Sequence, residues 1–282
     1  MELFAEEFKA RHGDSSPCSS VEESLDRLAK ARAKEMDGYL LSPVSQLPSQ
    51  LGEIMHCGVY RAVELGESSI REMNSRSVVS SCLLVRGVFE TGCLLYESMR
   101  RVEVAVNAND LEAFADLHTF IGRTLYGSKS KDLRIFPEIE SVNVLTIIKQ
   151  LSSKIKDGEM FMGFYDRLSE FCHPNSHGMM LLYTERHHAA VAHFTERNED
   201  REHGAMTLAV NALATGLDLV GEALRSWLAS TDILAGLVEE AIHIKGTWPA
   251  DTPYPVTQEM RDRLRAEDAC RREATASASE KL

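Results

Sequence analysis

Residues 83 to 96 read LLVRGVFETGCLLY. The run is apolar on nearly every side of a helix, so such a helix needs neighbours on several faces and belongs inside a bundle. It forms the middle of residues 77 to 105, the most hydrophobic helical segment of the chain. Arg86 and Glu90 interrupt it four residues apart, the spacing at which helical side chains meet. Both are expected to be buried and paired, because breaking a buried pair costs about 3 to 5 kcal/mol. Two charges in the apolar run also argue against a membrane span. Gly87 and Gly92 open the same helix to close approach by another backbone.

Outward from this segment the period remains helical. Ser20 and Glu23 form a capping-box pattern, which predicts a helix from Val21 to Leu41, ended by Pro43. Leu51, Ile54, Met55, Val59 and Val63 mark the apolar side of a helix over 50 to 73. Further helices are expected over 110 to 126, 141 to 156, 205 to 228 and 232 to 245, with a Gly, Ser and Lys-rich loop at 127 to 131. The one β signal is LLYTE at 181 to 185 and AHFTE at 192 to 196, which reads as a small hairpin. The fold class is therefore all-α: a helical bundle with one hairpin. Residues 1 to 48 read as an N-terminal helical extension, 49 to 246 as the bundle, and 247 to 282 as a Pro-rich connector with a charged tail.

With 282 residues, 44% of them hydrophobic, the chain can bury a sizeable core. A formal net charge of -12 disfavours capture of nucleic acid by net charge alone. Cys18, Cys57, Cys82, Cys93, Cys172 and Cys270 form no CxxC pair and several fall in apolar helical patterns, as reduced cysteines do. With no export signal in the first residues, a cytoplasmic location is expected. No GxGxxG, P-loop, HExxH or GxSxG motif is present, so no cofactor is expected.

The second informative stretch is YDRLSEFCHPNSHG, Tyr165 to Gly178. Phe161, Phe164, Tyr165, Leu168 and Phe171 recur at helical spacing, and Pro174 forces His173 out of the helical region, so the helix ends there. Arg167, Glu170 and His173 are three apart and within reach of one another. Cys172, His173, His177, His187, His188 and His193 are a second grouping, but their spacing matches no zinc pattern and no metal is assigned. Basic residues outnumber acids between Arg123 and Lys156, which makes Arg123, Lys129, Lys131 and Arg134 candidate phosphate contacts.

An apolar helix bearing RGVFE followed by YDRLSEFCHPNSHG resembles bacterial helical proteins of the HEPN type (higher eukaryotes and prokaryotes nucleotide-binding), over roughly residues 50 to 245. The shared mark is an Arg followed by four to six residues and a His, met by Arg167 and His173. The resemblance implies a homodimeric bundle and, in active members, a metal-independent endoribonuclease of toxin or defence type, with Arg and His from two subunits meeting. It implies catalytic roles for Arg167 and His173, with Arg86, Glu90, Tyr165, Glu170 and Asn175 as a supporting polar cluster. Active members carry a polar residue after the Arg, whereas Leu168 stands here. That departure favours the alternatives: a noncatalytic nucleotide- or RNA-binding module, or a scaffold for another protein.

Overall fold

The computed structural model describes residues 3–12, 15–36, 45–108, 111–134, 136–137, 139–155, 158–188 and 191–245. The architecture is all-α with one two-stranded antiparallel hairpin. In chain order the helices are α1 (Glu6–His12), α2 (Ser15–Lys30), α3 (Leu47–Asn74), α4 (Val78–Ala108), α5 (Leu111–Tyr126), α6 (Val144–Lys154), α7 (Glu159–Cys172), the single turn α8 (Leu181–Tyr183) and α9 (Glu199–Lys245). The hairpin, β1 (Thr184–His188) and β2 (Val191–Phe194), lies between α8 and α9 and pairs Thr184 with Phe194.

Helix α4 is the axis of the bundle and packs against α3, α5, α6, α7 and α9. Its residues Val85, Val88, Phe89 and Cys93 are fully buried, as the apolar sequence demands. The closest approach is to α9: a Cβ on Gly92 would lie 2.5 Å from the Gly216 carbonyl oxygen, and one on Gly216 would lie 3.0 Å from the Phe89 Cα. Two glycines facing each other thus let the backbones touch. By length and composition α4 and the part of α9 to Val238 are apolar enough to cross a membrane, and half of each apolar window is buried within the protein.

The structure moves several expected boundaries. Helix α2 begins at Ser15 and ends at Lys30, with Pro17 in its first turn, where a missing N–H costs nothing. The capping-box pair therefore sits inside the helix. Residues 1 to 48, expected as an extension, place Phe4, Phe8, Cys18, Val21, Leu25 and Leu28 in the common core. The two helices expected over 205 to 228 and 232 to 245 are one, α9. Ser230, Thr231 and Asp232 look like a fresh helix start, but Thr231 Oγ1 donates back to the Trp227 carbonyl (2.6 Å), and no Pro or Gly breaks the turn. The hairpin starts later than expected because Leu181–Tyr183 is helical. The expected connector and tail, residues 247 to 282, lie outside the described residues.

Two buried carboxylates are each held by arginines. Glu202 of α9, 3% exposed, accepts from Arg76 Nε (2.6 Å) and Nη2 (2.7 Å). Arg76 lies at the α3–α4 joint with φ 61, a left-handed conformation that costs a non-Gly residue roughly 1 to 2 kcal/mol, offset here by its charge-assisted bonds. Glu97 of α4, wholly buried, accepts from Arg100 (2.6 and 2.8 Å) and Arg101 (2.8 Å), while Arg101 also lies over the Phe120 ring of α5. Burial works to raise the Glu97 pKa, and the two arginines outweigh it, so the pKa falls below the usual 4.5. Its stabilisation is present above that unfolded value and is lost as pH falls through the lower folded one. Replacing Glu97 with Gln should therefore cost about 1.5 to 3 kcal/mol in denaturant melts at pH 7. A loss below about 0.5 kcal/mol would contradict this assignment.

Candidate functional site

The site lies along the α4–α7 seam and continues past the end of α7. Phe89 of α4 meets Phe161 and Phe164 of α7, with ring centroids 5.9 and 6.1 Å apart. Leu168 is fully buried, so the position after Arg167 faces the core. One turn before Phe89's neighbour Glu90 stands Arg86, whose Nε donates to Glu90 (2.8 Å) and whose Nη2 donates to the Tyr165 hydroxyl (2.8 Å). The guanidinium also lies 4.7 Å from the Tyr165 ring centroid. The Cys172 thiol is within hydrogen-bonding reach of Arg86; burial raises its pKa, and the Arg86 charge offsets part of that rise.

Arg86 and Glu90 are paired, but they are not buried as their apolar surroundings suggested. Their side chains are 25% and 30% exposed, because α7 covers one side of this α4 face and leaves the other open. Sequence reasoning placed Tyr165 in this cluster and missed Cys172 as an Arg86 neighbour. The signal was available: Tyr165 and Cys172 are two turns apart on one side of α7.

Past Cys172 the HPNSHG residues build a helix stop. His173 adopts φ -89 and ψ 147, as a residue before proline must, while its N–H still donates to the Ser169 carbonyl (3.0 Å). Asn175 Oδ1 accepts from the backbone N–H of His177 (2.9 Å) and Gly178 (3.0 Å), starting a π-helical turn at Ser176–Met180. Asn175 Nδ2 donates to Glu170 (2.6 Å), and His177 lies 3.7 Å from the same carboxylate. Gly178 is buried against the end of α7, where a Cβ would sit 2.0 Å from the His173 carbonyl oxygen.

Glu170 and Asn175 thus hold the turn together, and Glu170 does not bridge Arg167 and His173 as the three-residue spacing suggested. Arg167 and His173 are both exposed. Arg123 donates to the carbonyls of Glu140 (3.0 Å) and Ser141 (3.4 Å), and Arg134 to those of Ser128 (2.8 Å) and Pro137 (3.1 Å). These two candidate phosphate contacts clamp the α5–α6 connector instead, whereas Lys129 and Lys131 are exposed. Among the described residues no group of three or more His, Cys, Asp or Glu is placed to hold a metal, and the side chains of His187 and His188 lie outside the described set.

The geometry separates two substitutions. Glu90→Ala should cost only about 0.5 to 1 kcal/mol in thermal melts, because the pair is part-exposed, and a loss above about 3 kcal/mol would mean the charges are sealed from water. Gly178→Ala should cost about 1 to 3 kcal/mol, since the new methyl meets backbone that cannot step aside, and a neutral result would contradict that packing. Compared with protein-family models, curated proteins and solved structures, the chain matches none.

Proposed function

We propose that this chain is a HEPN-like protein that acts on RNA as a homodimer, with Arg167 and His173 as its reactive side chains. The observation that carries the reading is the division of labour around the end of α7. Leu168 is committed to the core, and Glu170 and Asn175 to the turn, while Arg167 and His173 stand in solvent on the same short stretch. An exposed imidazole and guanidinium are the groups that metal-independent RNA cleavage needs.

The reaction follows from those groups. One His173 takes the proton of a ribose 2′-hydroxyl as that oxygen attacks phosphorus. The P–O5′ bond breaks, and the protonated His173 of a second copy gives its proton to the leaving oxygen. Arg167 spreads the developing phosphorane charge over its paired N–H donors. The products are a cyclic phosphate and a free 5′-hydroxyl. A single chain offers one His173, so a two-fold pair supplies both proton positions.

A second reading, a noncatalytic nucleotide- or RNA-binding module or a scaffold for a protein partner, is favoured by two observations. Buried Leu168 removes the polar neighbour found in active relatives of this type, and Arg86 is already engaged by Glu90 and Tyr165.

The test is a panel of end-labelled single-stranded RNAs incubated with the full chain in the presence of a chelator. Cleavage leaving cyclic phosphate or 3′-phosphate ends is expected. Arg167→Ala and His173→Ala should each lower it at least about 100-fold while melting within about 1 kcal/mol of wild type. Light scattering should return twice the 31.4 kDa chain mass. Intact RNA throughout the panel, or a His173→Ala variant that cleaves like wild type, would overturn the enzyme; RNA binding without cleavage would support the second reading.

A further inference from the structure

Helix α1 is held at its two ends by different chemistry. At the start, Glu22 Oε1 accepts from the backbone N–H of Leu3 (2.7 Å) and Phe4 (2.8 Å), and Asn74 exchanges bonds with Ala5 N–H (3.0 Å) and the Leu3 carbonyl (2.9 Å). At the finish, His12 is layered between two rings. Phe8 of α1 lies on one side at 4.4 Å, and His203 of α9 is stacked on it at 5.0 Å with an interplanar angle of 12°. The His12 Nδ1 is buried and, among the described residues, has no hydrogen-bond partner.

That arrangement suits only a neutral imidazole, whose unprotonated nitrogen can be left bare at modest cost. A proton on Nδ1 would create a buried N–H with no acceptor. The charged groups around the ring do not correct this. His203, Arg11 and Arg76 each disfavour a positive charge on the ring. Glu202 is the carboxylate facing His12, and it already accepts twice from Arg76, with Arg11 3.9 Å away; Glu199 also lies toward Arg76, at 3.5 Å.

We propose that the His12–His203 stack is a proton-operated latch: neutral, it holds α1 against α9, and protonated, it lets α1 leave and uncovers Phe4 and Phe8. The surface uncovered is apolar, since both phenylalanines are almost fully buried when α1 is docked, at 1% and 4% exposure. The sign agrees with the surroundings. Burial first, then the charges of His203, Arg11 and Arg76, depress the His12 pKa below 6.5, with Glu202 opposing. Released α1 binds the proton more tightly than docked α1, so docking is at full strength above about pH 6.5 and weakens as pH falls from there toward the lower docked value.

Hydrogen exchange on the full chain at pH 7.5 and 5.0, corrected for the pH dependence of intrinsic exchange, reads the latch directly. Protection of the amides in residues 3–12 should fall between the two pH values by more than that of α4, because released α1 binds the proton more tightly than docked α1. His12→Phe, which keeps an aromatic ring in the stack but cannot titrate, should hold its protection at both pH values. His203→Gln, which removes one of the two charges, should move the release to lower pH. Glu22→Gln, which keeps the accepting oxygen, should behave as wild type. Unchanged protection in wild type, release of His203→Gln at the wild-type pH, or a flat profile in Glu22→Gln would each overturn the proposal.

Discussion

The structure depends on the contact between Gly92 of α4 and Gly216 of α9, where no side chain separates the two backbones. The placement of the α4–α7 face is measured from it. With α9 pressed against one side of α4, Phe89 is left to receive α7 on another, and the Phe161 and Phe164 rings dock there. Arg86 and Glu90 then lie at the margin of the α4–α7 seam and keep partial contact with water. Were the crossing wider, Leu219, whose Cβ lies 3.1 Å from the position of a Gly92 Cβ, would lose its contact as well.

The polar residues on this face divide into those that build and those that remain available. The His-Pro-Asn-Ser-His-Gly sequence looks like a chemical motif, yet most of its members terminate a helix: the proline sets the His173 backbone, Asn175 caps the following turn, and Gly178 fits under the last carbonyls. Arg86, Glu90, Tyr165 and Cys172 form a linked cluster across two helices, which fixes how α7 sits on α4. Arg167 and His173 are exposed, and the proposed RNA chemistry is assigned to them for that reason.

The features legible in the sequence were those with a local cause. An apolar period gave α3, α4 and α5 nearly to their ends, Pro174 gave the end of α7, and the i,i+4 spacing gave the Arg86–Glu90 pair. Features that depend on a distant partner were not legible. Arg100 and Arg101 follow Glu97 at i,i+3 and i,i+4 spacing, yet nothing local marks that carboxylate as buried, because its place in the bundle and the Phe120 ring that receives Arg101 belong to the packing of α4 against α5. The short α1 was missed because its anchors, Glu22, Asn74 and His203, are scattered along the chain. Arg86 was expected to be buried because sequence shows how apolar a helix is and not how much of each face a neighbour covers.

The most direct measurement is the stability of Gly92→Ala and Gly216→Ala, taken singly and together in denaturant melts. A crossing closed by backbone contact predicts a loss of about 1 to 3 kcal/mol for each, and a double variant that loses less than the sum, because the first methyl already forces the helices apart. Single losses below about 0.5 kcal/mol, or strict additivity, would contradict the account.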